Sequence, residues 1–224
     1  FIRALAEVKL AAARANHELG GLPDEKAKAI AAACREIMAG ELHDQFVVDA
    51  IQGGAGTSTN MNANEVVANR ALELMGHARG DYERLHPNTH VNMSQSTNDV
   101  YPTALRLTLI RQIGLLTASM EHLADAFRAR AEAFKGVIKM GRTQLQDAVP
   151  MTLGQEFAAW AVMLGEDVKR LEESKALVHE INMGATAIGT GLNAHPGYAE
   201  AVTGRLREIT GFDLVTAADL VEAT

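Results

Sequence analysis

The chain has 224 residues, which is enough for one large domain or two small ones. Apolar residues make up 47% of it and aromatic residues only 4%, a balance that favours helix over sheet. The net charge of −7 is dispersed and shows no basic footprint for nucleic acid, and no segment is apolar enough to span a membrane. One cysteine allows no internal disulfide, and no signal peptide is visible, so we expect a cytoplasmic protein.

The first third of the chain predicts four helices separated by glycine-containing turns. Gly20 and Gly21 stop the first helix, and Pro23 followed by two acidic residues opens the second. Cys34 lies among alanines on the second helix and is interpreted as a buried, small apolar residue. The four predicted helices cover residues 1–19, 23–40, 42–50 and about 62–75.

A long helix that begins near Asp99 is the strongest structural prediction. Apolar residues recur every three or four positions over about 30 residues, which corresponds to a rod of roughly 45 Å. Pro102 is expected in the first turn, where it is tolerated. A rod of this length suggests a helix bundle shared between subunits. The apolar positions are Leu105, Leu109, Ile113, Leu116, Met120, Leu123, Phe127, Ala131 and Phe134.

The remaining elements are a break over residues 136–150, a second long helix over 151–181, a loop over 184–196 and a helix over 197–210. A short extended piece is expected at residues 137–140 within the break. We predict an all-α fold with an N-terminal helical domain at residues 1–98 and a central long-helix domain at 99–224.

Three polar loops flank the predicted helices and could bind a ligand. They are uncharged or nearly so and rich in hydroxyl and amide side chains: GTSTN at residues 56–60, SQSTN at 94–98 and GRTQLQD at 141–147. Each loop alone is also consistent with helix capping and turn formation. Three such loops together make capping alone a weaker explanation. The stretch at residues 94–99, at the start of the long predicted helix, indicates a site for a carboxylate because helix N-termini favour anions.

Two other kinds of site find little support in the sequence. The glycine-rich stretch at residues 53–56 lacks the Gly-Lys-Ser/Thr ending of a phosphate-binding loop, and no strand precedes it. His86 and His90 are four residues apart, but Pro87 prevents a regular helix through them, so no zinc site is predicted.

Four segments carry a resemblance to a known family. They are GGAGTSTNMNANEVVANR at residues 53–70, HPNTHVNMSQSTND at 86–99, KMGRTQLQDAVPMTLGQE at 139–156 and GATAIGTGLN at 184–193. They resemble the signature segments of the aspartase/class II fumarase family, and the similarity covers essentially the whole chain. It implies a homotetramer with a central bundle of long helices, each active site being built from three subunits. It also implies reversible anti elimination from a four-carbon dicarboxylate to give fumarate, without cofactor or metal.

The resemblance assigns roles to six residues of the polar loops. Thr57, Ser96 and Thr97 are expected to hold the β-carboxylate, on which negative charge develops when the Cβ proton leaves. Thr143 is expected at the α-carboxylate, and Asn98 and Gln144 near the leaving amine. His86 and Asn88 belong to a segment linked to a second anion site, which Thr89 puts in doubt because fumarases commonly have aspartate there.

Gln144 distinguishes between two reactions of the family. Fumarases have histidine at this position, where expulsion of hydroxide needs an acid, whereas an ammonium group leaves as neutral ammonia. Gln144 therefore favours elimination of ammonia from L-aspartate, with hydration of fumarate to malate as the alternative. Met93 is fumarase-like and is a small contrary signal. A non-catalytic helical oligomerisation module is a further alternative, since long apolar stripes alone would serve it equally well.

The family's flexible loop, with its catalytic serine base and its α-carboxylate-binding Lys and Asn, has no counterpart up to Thr224. The chain begins without Met inside an apolar run and stops where another element is expected. We therefore interpret it as a fragment that holds no catalytic base of its own and is inactive alone.

Overall fold

The computed structural model describes residues 1–49, 51 and 54–224. The described chain is mainly helical, in agreement with the predicted all-α class. Its six α-helices are α1 (Ile2–Glu18), α2 (Asp24–Met38), α3 (Thr57–Leu74), α4 (Thr97–Ala133), α5 (Leu153–Leu177) and α6 (Tyr198–Thr210). The strands are β1 (Ile138–Thr143), β2 (Gln146–Thr152), β3 (Glu180–Ile181) and β4 (Val215–Thr216). Within the described ranges, no helix combines the length and apolarity needed to cross a membrane.

The chain divides into two compact units, one formed by residues 1–108 and 178–224 and the other by residues 109–177. Residues 178–224 thus group with the N-terminal part of the chain. This partition by contacts differs from the predicted domains at 1–98 and 99–224, which remain a prediction about the complete subunit.

Helix α1 lies at the centre of the first unit. It is buried over most of its length and packs against α2, α3 and α6. Its alanines favour helix and allow the neighbouring helices to approach closely. Cys34 of α2 is completely buried in the same apolar core, and burial raises the pKa of its thiol to about 12. The interpretation of Cys34 as a buried, small apolar residue is therefore confirmed.

The predicted helix at residues 42–50 is wrong. The structure has a single 3₁₀ turn at His43–Gln45, preceded by Leu42 in a left-handed conformation with φ of 62°. The Asn62 side-chain oxygen accepts hydrogen bonds from the backbone N–H groups of Val47 (2.9 Å) and Val48 (3.3 Å). These N–H groups therefore bond to a residue of α3 and not to carbonyls of a helix over residues 42–50. Ala50, the last residue of the prediction, lies outside the described residues.

Helix α3 begins five residues earlier than predicted. The segment from Thr57 to Asn60, expected to be a loop, forms its first turn, with Gly56 preceding it at φ of 85°. A Cβ atom on Gly56 would lie 2.2 Å from the ring of Tyr101. Position 56 therefore requires glycine for two reasons: its backbone has a positive φ, and the Tyr101 ring leaves no space for a side chain. Gly53, part of the predicted loop, lies outside the described residues.

The long helix is confirmed in α4, which runs over 37 residues. Pro102 is its sixth residue and lies in the second turn, not the first as predicted. Because proline has no N–H, the carbonyl of Asn98 loses its usual helical partner. The side-chain amide of Asn182 donates to that carbonyl at 3.0 Å and replaces the missing bond.

The second unit contains a β-hairpin where only a short extended piece was predicted. β1 and β2 pair antiparallel from Ile138 opposite Thr152 to Thr143 opposite Gln146. The two turn residues, Gln144 and Leu145, have φ of 48° and 69°, as a tight two-residue hairpin turn requires. Sequence periodicity missed the hairpin because one of its strands, β2, is largely exposed and shows no clean alternation.

The helix predicted at residues 151–181 is shorter at both ends. Thr152 ends β2 and caps α5, since its hydroxyl oxygen accepts the Gln155 N–H at 3.1 Å. At the other end, Ile181 belongs to β3, which pairs parallel with β4. In this unit Phe127 of α4 contacts Phe157 and Trp160 of α5, and Phe134, directly after α4, contacts Phe157.

Replacing Gly56 by alanine should destabilise the fold more than replacing Gly20. Gly20 also has a positive φ (77°) but nothing lies within 4 Å of its added Cβ, so Gly20→Ala measures backbone strain alone, about 1–2 kcal/mol. Gly56→Ala adds a collision with the Tyr101 ring, which should cost about a further 1–3 kcal/mol. Urea unfolding of both variants checks this, and equal losses would contradict the steric part.

Candidate substrate-binding site

Four of the six predicted site residues lie in the first unit. Thr57 is the first residue of α3, Ser96 directly precedes α4, and Thr97 and Asn98 are its first two residues. Two helix N-termini thus present hydroxyl and amide groups at the positive ends of their dipoles, an arrangement that suits an anion.

Ser96 and Asp99 form a reciprocal cap at the start of α4. The Ser96 hydroxyl oxygen accepts the Asn98 N–H at 3.3 Å, and the Asp99 carboxylate accepts the Ser96 N–H at 2.9 Å. This resembles a capping box, with aspartate in place of the usual glutamate and with the serine bonded to the second helical N–H instead of the third. Because its oxygen accepts from the backbone, the proton of the Ser96 hydroxyl can be donated to a ligand.

Thr57 has a different local role in this structure. Its hydroxyl donates to the carbonyl of Gly54 at 2.8 Å, and its side chain is exposed. To donate to a substrate carboxylate it must exchange that local bond for one to the ligand.

Asn98 is oriented by the loop after β3. Its side-chain nitrogen donates to the Ala187 carbonyl at 2.7 Å, so its side-chain oxygen is the atom turned to other partners. An amide oxygen accepts hydrogen bonds, and an ammonium group can only donate them. The orientation of Asn98 therefore suits an amine as ligand.

Thr143 and Gln144 lie in the second unit, at the tip of the β-hairpin. Thr143 is the last residue of β1, and Gln144 is the first of the two turn residues. Both side chains are exposed. Each unit holds its own part of the predicted set.

His86 and Asn88 are the candidate second anion site; Asn88 lies on a single π-helical turn at Pro87–Val91, and His86 directly precedes and caps that turn. The His86 Nδ1 accepts the N–H groups of Asn88 (3.0 Å) and Thr89 (3.3 Å). A neutral His86 then carries its proton on Nε2, where it can be donated to an anion. Nearby, His90 Nε2 lies 2.7 Å from the Lys26 ammonium, and burial, with Lys26, lowers the pKa of His90.

A buried polar cluster beneath the start of α4 was missed by the sequence analysis. Lys9 of α1 is completely buried and donates to the side-chain oxygens of Asn60 (2.7 Å), Asn92 (2.9 Å) and Gln95 (2.9 Å). The Asn60 side-chain nitrogen in turn donates to the Thr97 hydroxyl oxygen at 3.2 Å. A signal was present, because Lys9 shares the apolar face of α1 with Leu5 and Ala12, where a lysine needs buried partners.

Asp99 is the anionic counterpart of Lys9 and is also completely buried. Besides the Ser96 N–H, its carboxylate accepts the N–H groups of Gly184 (3.2 Å) and Thr186 (2.9 Å). Burial raises the pKa of Asp99 to about 6, against the opposing effect of the three backbone donors and Lys9. Asp99 thereby ties the start of α4 to the loop after β3.

The described residues contain no group of three or more His, Cys, Asp or Glu side chains placed to hold a metal ion.

Comparison with known proteins identifies the class. The family described as Lyase matches residues 2–224. Curated aspartate ammonia-lyases are similar over the whole chain, with 61% identity in Pseudomonas aeruginosa, 56% in Bacillus subtilis and 52% in Escherichia coli K12. The chain spans about half the length of these relatives, covering 47–48% of each.

Two solved structures share the fold. A crystal structure of fumarate lyase:delta crystallin from Brucella melitensis bound to cobalt has a TM-score of 0.95 and 58% identity, covering 99% of this chain and 48% of that one. The class II fumarase of Schistosoma mansoni has a TM-score of 0.86 and 36% identity, covering 98% and 48%. The chain therefore belongs to the lyase family that includes the aspartases and class II fumarases, as its motifs predicted.

The buried ammonium predicts a pH dependence of stability. Burial lowers the pKa of Lys9 from 10.5 to about 7, an effect that outweighs the opposing attraction of Asp99. Between these two pH values the unfolded chain binds more protons than the folded one, so the contribution of Lys9 to stability becomes more favourable as pH rises. The melting temperature of the wild type relative to Lys9→Met should therefore increase from pH 7 to pH 9. A difference that stays constant over that range would contradict the lowered pKa.

Proposed function

We propose that the full-length protein eliminates ammonia from L-aspartate to give fumarate. The observation that carries the proposal is the start of α4, where the hydroxyls of Ser96 and Thr97 each accept a hydrogen bond from within the protein and are left to donate their protons. The 52–61% identity to curated aspartate ammonia-lyases supports it.

The reaction needs donors around one carboxylate. A base removes the weakly acidic Cβ proton, and the electron pair moves into the adjacent carboxylate to form an aci-carboxylate with an extra negative charge. The pair then forms the carbon–carbon double bond as the C–N bond breaks, and the ammonium group leaves as ammonia. Donors held in place before the reaction stabilise the added charge without reorganising.

Each residue of the site has a place in this scheme. Ser96, Thr97 and Thr57 hold the β-carboxylate, and Thr143 holds the α-carboxylate. The side-chain oxygen of Asn98 accepts from the substrate ammonium, with Gln144 nearby. None of these residues is assigned as the base, for which the family resemblance implies a serine of a flexible loop. The scheme requires no cofactor or metal.

We further propose a cytoplasmic homotetramer whose active sites each combine three subunits. Large apolar side chains on the helices of the second unit support this assembly, because they are exposed in the single chain and would be covered in a bundle. They include Leu115 (64% exposed), Val162 (61%) and Met163 (59%). His86 and Asn88 would form a second anion site.

The direct test is an absorbance assay for fumarate with L-aspartate and L-malate in parallel on the full-length protein. Fumarate from aspartate, with an equal amount of ammonia, supports the proposal. Fumarate from malate alone would replace it with hydration of fumarate, the reaction of the class II fumarase relative. Absence of both activities in a correctly assembled protein would favour a non-catalytic helical module.

Ser96→Ala should lower kcat/KM for aspartate by about 10–1000-fold, because it removes one donor to the developing charge. It should also cost about 1 kcal/mol of stability, because Ser96 caps α4. Thr152→Ala is the matched control, since Thr152 caps α5 and has no assigned contact with substrate. It should reduce stability similarly and leave kcat/KM unchanged. Equal kinetic losses in both variants would reduce Ser96 to a structural cap.

Gln144→His should not produce efficient malate elimination. Histidine supplies an acid for the leaving hydroxide, but the Asn98 oxygen, turned outward by its bond to Ala187, still suits an amine. Parallel kcat/KM measurements on malate and aspartate check this. Strong malate turnover by the single variant would show that residue 144 alone selects the leaving group.

A further inference from the structure

The hydrogen bonds of buried Lys9 can run in only one direction, from its ammonium group to side-chain oxygens. Below its lowered pKa of about 7, Lys9 is an ammonium group, which has three protons and accepts no hydrogen bond. The three contacts of Lys9 therefore require oxygen, and not nitrogen, from Asn60, Asn92 and Gln95. A single buried cation thus fixes the orientation of three side-chain amides.

The orientation of Asn60 determines the direction of the next bond. With its oxygen on Lys9, Asn60 presents its nitrogen to the Thr97 hydroxyl oxygen at 3.2 Å and to Asn92 Oδ1 at 3.3 Å. Asn92 Oδ1 already receives a proton from Lys9, so a reversed Asn60 amide would place two oxygens in contact. Asn60 is therefore held as a donor to Thr97.

The consequence is a defined proton direction at Thr97. Its oxygen receives a proton from Asn60, and among the described residues no acceptor is assigned to its own proton. That proton is therefore directed to whatever binds at the start of α4. If the Asn60 amide were reversed, its oxygen would instead compete for the Thr97 proton.

We infer that Lys9 is a positioning residue that acts through Asn60 to keep the Thr97 hydroxyl a donor to the substrate carboxylate. This inference rests on the proposed function. Lys9 itself contacts no substrate, and its effect on the reaction is transmitted by two hydrogen bonds, Lys9 to Asn60 and Asn60 to Thr97.

Asn60→Asp in the full-length protein is the sharpest test. Aspartate has nearly the same shape, keeps an oxygen on Lys9 and adds an attractive charge, so the buried ammonium remains satisfied. Its second oxygen replaces the nitrogen that donates to Asn92 Oδ1, so aspartate also loses that contact. It has no N–H for Thr97, and its second oxygen accepts the Thr97 proton instead. We expect kcat/KM for aspartate to fall about 100-fold, mainly through kcat, since the lost donor acts on charge that develops in the transition state.

Two comparisons separate this effect from a general disturbance. Asn69→Asp makes the same change further along α3, where Asn69 bonds Tyr82 and Gly80, and it should leave kcat/KM unchanged. Thr97→Val removes the hydroxyl that Asn60 is inferred to orient. If Lys9 and Asn60 act through Thr97, adding Asn60→Asp to Thr97→Val should cause little further loss.

The outcomes decide between the two proposals. A folded Asn60→Asp variant with lowered kcat, and no added loss in the Thr97→Val background, supports the inference. Wild-type kcat/KM in that variant, or fully additive losses, overturns it while leaving the proposed function intact. If Asn60→Asp does not fold, the Lys9→Met/Asn60→Leu double variant, which removes the charge together with its partner, takes its place with the same criteria. A wild-type protein without lyase activity overturns both proposals.

Discussion

The hydrogen bonds of the buried Lys9 ammonium are the interaction on which the arrangement of the first unit depends. Transferring a cation into a protein interior is unfavourable unless every proton finds an acceptor. Three side-chain oxygens, from α3 and from the segment that leads to α4, meet this requirement. Because each oxygen binds the same ammonium, displacing any of them leaves it undersatisfied. Helix α1, helix α3 and the segment before α4 are therefore held in place together.

The start of α4 is held from a second side by the loop after β3. Asp99 accepts N–H groups from this loop, Asn182 replaces the helical bond that Pro102 removes, and Ala187 orients Asn98. The two buried groups of opposite charge, Lys9 and Asp99, thus both hold the N-terminus of α4 in place. The hydroxyl and amide groups above them have directions that are set by the protein before any ligand arrives, which is what stabilisation of a developing charge requires.

Sequence reasoning succeeded where local rules act alone and failed where distant groups intervene. Helices α1, α2 and α6 begin and end within two residues of their predicted limits, because glycine and proline stop and start helices locally. The helix predicted at residues 42–50 was wrong, since Asn62 bonds the backbone of Val47 and Val48. The hairpin of β1 and β2 was largely missed, since pairing between strands, not periodicity, defines it.

The amino-acid sequence by itself determined the helical class, the long α4 and the family to which the chain belongs, and it supplied the candidate site residues as predictions. Only the tertiary structure decided that Lys9 is buried beneath the start of α4 and which way each amide and hydroxyl points. The physical reason is separation along the chain: Lys9 meets Asn60 and Gln95 across 51 and 86 positions. No local propensity encodes the direction of a hydrogen bond between residues that only folding brings together.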